Sequence, residues 1–176
     1  MGQAGRGINS GKKDKLQIYF GDKPGEGGRD MSWETAEQFD DILYQKWGGV
    51  AKVTINRPEK RNALSPGMLV TVYEAWRQLD EDDNLRCAIL TGAGGTFCSG
   101  ADLSAMKDGN EDSAMMEKLK EIPDLHWQAL LRHNRPNKPI IAAVEGFALA
   151  GGTEILQGTD IRVAGQSSTF GLTEPL

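Results

Sequence analysis

Apolar and polar residues alternate over positions 42–44 and again over 50–55, a period of two that predicts a pair of strands. Gly48-Gly49 lies between them and predicts the turn of a hairpin, which Asn56-Arg57-Pro58 ends. The period then lengthens. Met68, Leu69, Val72, Tyr73, Trp76 and Leu79 recur at helical spacing, with Ser65 as N-cap, Pro66 as the first helical residue and the polar stretch 80–84 closing the helix. Residues 87–90 form a short apolar run, read as a strand, and a glycine-rich loop follows over 91–100. A helix is expected soon after Ala101, and 107–113 read as polar loop. Residues 115–135 read as mostly helical with a break at Pro123. Pro139 sets off a strand over 140–144, followed by a second glycine-rich loop over 146–152, a short helix over 153–157 and a strand over 161–164. A strand–loop–helix unit recurs, which is an α/β pattern with largely covered strands.

The opening stretch has almost no apolar periodicity and is rich in Gly and Lys. Residues 1–38 are therefore read as a disordered N-terminal extension, and 39–176 as the ordered part of one domain. Met31 is a second candidate for the start of translation. Lys and Arg total 20 against 25 Asp and Glu, a net charge of −5, so no nucleic-acid or anionic-membrane partner is expected. No apolar run has the length of a membrane span, and the first thirty residues lack the apolar core of a signal peptide. Asp14, Asp22, Glu26 and Asp30 argue against a transit peptide, which leaves the cytoplasm as the expected location. Cys87 and Cys98 lack a metal-ligand spacing and read as small apolar residues, and His126 and His133 form no zinc motif. No metal is expected.

The chemistry concentrates in the two glycine-rich loops. In the first, residues 91–103, glycines allow close approach of backbone to a ligand, and the Ala101 amide is expected at or near the start of the next helix, unpaired. A dinucleotide-type phosphate loop is the alternative, but the glycines do not fall into GxGxxG register with a following acidic residue. The second loop, residues 145–154, also follows an apolar strand and opens a helix, so Gly151 is expected to present its amide as Ala101 does. Two such amides would make an oxyanion hole, each donor contributing roughly 2.7–4 kcal/mol in a transition state. Glu154 lies in the first turn after Gly151 and is a candidate general base; taken alone, it is better read as a stabilising helix-start charge. Glu174, between Leu172 and Leu176, is a candidate acid; alone it is a loop glutamate.

Four stretches carry a resemblance in the same order: Ile55-Asn-Arg-Pro-Glu-Lys-Arg-Asn-Ala-Leu64, Phe97-Cys-Ser-Gly-Ala-Asp-Leu103, Lys138-Pro-Ile-Ile-Ala-Ala-Val-Glu-Gly146 and Ala150-Gly-Gly-Thr-Glu154. Over about residues 39 to 176 the chain resembles the enoyl-CoA hydratase/isomerase (crotonase) family. The resemblance implies an α/β fold, a crotonase-like ββα spiral that is incomplete at the C-terminus. It implies an acyl-CoA substrate, with coenzyme A part of that substrate and no separate cofactor. Ala101 and Gly151 match the oxyanion-hole positions, and Glu154 and Glu174 match the paired glutamates that activate a water adding to C3. Arg61, Ala63, Leu64, Ser99, Ala101, Asp102, Leu103 and Gly151 match positions along the CoA groove. For Arg61 there is a physical reason, since CoA carries phosphates; a solvated surface charge is the alternative.

Three departures stand out. The lysine common soon after the Ala-Asp pair is replaced by Leu103 and Ser104, with Lys107 further on. Ala150 stands where a third glycine is common, a change expected to be tolerated. Family members also continue well past Leu176, through a region that closes the acyl pocket and builds a homotrimer or a dimer of trimers. The expected activity is that of an enoyl-CoA hydratase, a lyase. An isomerase or another reaction through a thioester enolate is one alternative, and a non-catalytic fragment or interaction module is another.

Overall fold

The computed structural model describes residues 32–39, 41–108 and 113–173. Strands β1 (Glu34–Gln38), β2 (Ile42–Trp47) and β3 (Val50–Ile55) form an antiparallel meander. Gly48 and Gly49 make the β2–β3 turn with φ of 53° and 85°, the left-handed pair that a two-residue hairpin of the proper twist requires. Order begins earlier than residue 39, contrary to the expectation of an extension reaching residue 38. Strand β1 is an exposed edge held by ladder hydrogen bonds to β2 rather than by burial, so it carries no apolar period. The remainder of the expected extension, residues 1–31, lies outside the described residues.

Helix α1 (Pro66–Glu81) starts as the sequence predicts, with Ser65 accepting from the Met68 amide at 3.2 Å and Pro66 in the first turn. Met68, Val72, Ala75, Trp76 and Leu79 face the core. Its last carbonyls would be orphans, and the Lys138 ammonium satisfies them, donating to Leu79 at 2.7 Å, Asp80 at 3.3 Å and Asp82 at 2.7 Å. Strands β4 (Cys87–Gly92) and β5 (Ile140–Val144) continue the sheet parallel to β3. Between them come α2 (Leu103–Asp108), α3 (Ser113–Glu121) and α4 (Leu125–Ala129). The helical expectation for 115–135 fails after Ala129, where the chain reverses through Leu131 at φ 60°. Residues 107 and 108 belong to α2 rather than to a loop. Trp76 Nε1 donates to the Ala129 carbonyl at 2.9 Å and fastens α1 to α4.

After β5 the chain forms β6 (Phe147–Leu149), α5 (Gly151–Gln157), β7 (Ile161–Ala164) and β8 (Thr169–Gly171). The six-stranded sheet has the order β1-β2-β3-β4-β5-β7, and β6 pairs with β8 in a separate parallel ladder. Neither β6 nor β8 was expected as a strand. Three residues are too few to show a period, and β8 replaces the turn expected at Phe170-Gly171.

Burial is one-sided. Tyr44, Val53, Leu90 and Ala142 occupy one row of the register and are fully buried beneath the helices. On the opposite face, Lys52, Ile89 and Ile141 are half-buried, while Ile161 and Val163 of the edge strand β7 are 55% and 59% exposed. The expectation of covered strands therefore holds for one face only. Among the described residues, no helix is long and apolar enough to cross a membrane.

Candidate active site

The chain leaves β3, β4 and β5 at the same end of the sheet, because the three strands are parallel. The three segments that follow lie side by side. Cys98 bridges Ala148, its amide donating to Phe147 and its carbonyl accepting from Leu149, each at 2.9 Å. Leu64 bridges Ala101 in the same parallel sense. Ala101 lies three positions after Cys98 and Gly151 three positions after Ala148, so the ladder carries Ala101 and Gly151 forward in step.

The bridge explains why the Ala101 amide is free. Leu64 donates to Gly100 at 2.7 Å and accepts from Asp102 at 2.8 Å, so the ladder uses the residues flanking Ala101. The Ala101 N–H faces the other way, and it has no acceptor among the described residues. Ala101 lies two positions before α2, which begins at Leu103, so its amide is near the helix start but outside the helix. Gly151 is the first residue of α5, where an N–H has no intrahelical partner. The two loops touch backbone to backbone. A Cβ on Gly100 would lie 2.9 Å from the Ala150 Cβ and 3.7 Å from the Gly151 nitrogen, so a side chain at Gly100 would push the loops apart.

Ala150 has φ 45° and ψ −120°, a conformation that side-chain-bearing residues rarely adopt. It persists because the Ala150 amide donates to Gly171 at 2.8 Å and its carbonyl accepts from Thr153 and Glu154. The alanine is tolerated, but at a backbone cost. Ala150→Gly is expected to raise stability by about 1 kcal/mol, the relief of strain exceeding the added entropy of the unfolded chain. Urea unfolding measures this, and a lower midpoint would contradict it.

A buried polar network sets the positions of the loops, and sequence reasoning gave two of its members no role. Asn62, fully buried at φ 55°, donates to the carbonyls of Ala93 at 2.9 Å and Thr96 at 2.6 Å, and accepts from the Arg57 amide at 2.9 Å. Arg57 Nη1 donates to Asp102 Oδ2 at 2.6 Å. The other Asp102 oxygen accepts from the Ser104 hydroxyl at 2.5 Å and from the amides of Ser104 and Ala105. The Ser104 hydroxyl and the Ala105 amide, followed by Arg57, hold the Asp102 carboxyl well below the usual carboxylate range. The Asp102 side chain therefore faces inward and caps α2. Asn-Arg-Pro and Arg-Asn-Ala-Leu were visible as motif residues, but only the tertiary contacts give Arg57 and Asn62 a role.

The other sequence-predicted residues fall around this frame. Arg61 is exposed at φ 52°, and its carbonyl accepts from the Ser99 amide at 3.1 Å. Ala63 is half-buried, and Leu64 is buried with Cδ1 against Gly151. Leu103, an apolar residue next to the Ala101–Asp102 pair, is 69% exposed. Cys98 is buried, which pushes its thiol up to about 11. Glu154 is one turn along α5 from Gly151, hence on the same helix face, and its Oε1 accepts from Arg132 Nη1 at 3.0 Å. Glu174 lies outside the described residues.

The family model described as enoyl-CoA hydratase/isomerase matches residues 45–176. The chain belongs to the enoyl-CoA hydratase/isomerase family. The chain is 48% identical to the enoyl-CoA hydratase EchA19 of Mycobacterium tuberculosis H37Rv, over 80% of this chain and 52% of that protein. It is 40% identical to the (E)-benzylidenesuccinyl-CoA hydratase of Thauera aromatica, over 71% of this chain and 47% of that one. A crystal structure of an enoyl-CoA hydratase from M. tuberculosis H37Rv superposes with a TM-score of 0.62 at 38% identity, covering 74% of this chain and 48% of the other. The fold is thus the mixed α/β, parallel-dominated fold of the crotonases. The chain spans about half the length of the curated relatives it matches.

Proposed function

We propose that the site serves an enoyl-CoA hydratase, adding water across the 2,3 double bond of an acyl-CoA thioester. One observation carries this reading: the amides of Ala101 and Gly151, without an acceptor among the described residues, sit in adjacent loops held in parallel register. Donors fixed by a backbone ladder need no reorganisation when charge develops, and such preorganisation is the main source of electrostatic catalysis. The thioester oxygen would accept from both amides. Water attacks C3, the C2=C3 π pair moves into the thioester as an enolate, and Glu154 takes the water proton. A proton then returns to C2, so the product gains one water. Glu174 is the second carboxylate of this scheme.

The CoA part of the substrate would run past Arg61, Ala63, Leu64 and Ser99, with the backbone of 101–103 beneath it. Coenzyme A enters only as part of the substrate, with no separate cofactor. The same reading carries a cytoplasmic location and, for a full-length chain, a homotrimer or dimer of trimers. Two relatives at 48% and 40% identity bear hydratase names, which supports hydration over double-bond isomerisation. The test is to incubate the protein with a 2-enoyl-CoA and follow loss of conjugated thioester absorbance, with a 3-enoyl-CoA in parallel. Hydration of the first substrate is expected. Conversion of the second alone would replace this reading with an isomerase.

A further inference from the structure

Glu154 does not stand free, and what holds it lies outside the four stretches that carry the family resemblance. Arg132 follows the reversal after α4, and its amide donates to the Trp127 carbonyl at 2.8 Å. Its guanidinium lies over the Trp127 ring, 4.5 Å from the centroid, in cation–π geometry. The reversal is docked on the helix that carries Glu154. Leu131 is 1% exposed, and a Cβ on Gly158, the C-cap of α5, would lie 2.3 Å from the Leu131 Cβ. His133 Nδ1, 3.3 Å from Asp124 Oδ2, closes the same turn.

The contact to Glu154 is one-sided. Arg132 Nη1 reaches Oε1 at 3.0 Å, while Oε2 accepts no hydrogen bond among the described residues. We infer that Arg132 is a positioning residue, clamping one oxygen of Glu154 and leaving the other to take the proton from the attacking water. This rests on the hydratase reading of the site. An ordinary surface ion pair would contribute little, because two long side chains must be ordered in water. Here the guanidinium is ordered already by Trp127, and the carboxylate belongs to a helix on which the Arg132 turn is packed.

The expected results follow from that geometry. Arg132→Met lowers kcat by roughly tenfold to a hundredfold, as misplacing a reacting group by about an ångström does, with KM within about twofold. Arg132→Lys restores part of the loss, because an ammonium can replace the charge but not the planar fork stacked on the ring. In a Glu154→Gln background, Arg132→Met has no further effect, since no base remains to be positioned. Equal losses in both backgrounds, or a rise in KM in place of a fall in kcat, would overturn the inference. A second readout needs no turnover: in protein with ¹⁵N-labelled arginine, the Arg132 guanidinium signals shift in Glu154→Ala. Unchanged signals would show that the pair does not form in solution. If the pair is seen but no enoyl-CoA is hydrated, the hydratase reading falls and the positioning role with it. If the wild type is active and Arg132→Met is unimpaired, only the positioning role falls.

Discussion

Asp102→Ala is expected to destabilise the protein by about 3 kcal/mol, the lower end for breaking a buried ion pair, because Arg57 keeps some access to water. The substitution leaves the Arg57 guanidinium without its 2.6 Å partner and removes the acceptor for Ser104 and Ala105 at the start of α2. Asp102→Asn should cost less, since its side-chain oxygen can still cap the helix while the charge is lost. The pH dependence has a definite sign. The folded-state carboxyl titrates below its unfolded value, so its contribution is complete above about pH 4 and disappears as the pH falls through the lower folded value. Both variants should therefore show a flatter loss of stability on acidification than the wild type. Urea unfolding between neutral pH and pH 3 measures both effects. A wild-type midpoint for Asp102→Ala at pH 7 would mean that the pair contributes nothing. Activity should suffer as well, because Asp102 is next to the Ala101 amide and its own amide helps form the Leu64 ladder.

Glu154→Gln is the second large effect. If Glu154 takes the water proton, its replacement by an amide lowers kcat for hydration by roughly 10²- to 10⁴-fold, the range typical of general-base removal. KM should change little, because the proposed CoA contacts are made elsewhere. Stability should stay within about 1 kcal/mol of wild type, as for loss of a partly exposed ion pair. The glutamine oxygen can still accept from Arg132, so the substitution isolates proton transfer from positioning. Steady-state hydration kinetics, with a melting curve as control, decide the matter. An undiminished kcat would exclude Glu154 as the base.

The exposed apolar residues also have physical meaning. Ile161, Val163, Phe170 and Leu172 are all at least half exposed, and they cluster in the last part of the described chain. A parallel sheet normally has both faces covered, and the matched relatives are about twice as long as the stretch aligned here.

Much of the framework could be read from local pattern. The β2–β3 hairpin was legible because two apolar alternations flank a Gly-Gly pair. Helix α1 was legible because Ser65, Pro66 and six apolar residues at helical spacing give the same answer. The loops at Ala101 and Gly151 stood out because glycine clusters between apolar strands and helices are seldom neutral. Strands β1, β6 and β8 were illegible for a common reason: short, edge or weakly buried strands are defined by partners distant in sequence, not by their own periodicity.

The site divides along the same line. The sequence marked Ala101, Gly151 and Glu154 as candidates, because glycine-rich turns between apolar strands and helices and the family resemblance fall on the same residues. Only the fold could show that the Ala101 amide is free because a parallel bridge uses its neighbours, that Asp102 turns inward to Arg57, and that Arg132 reaches Glu154 across 22 positions. Each depends on which segments the parallel sheet sets side by side. Backbone ladders and buried ion pairs join residues far apart in the chain, and no local pattern records those partners.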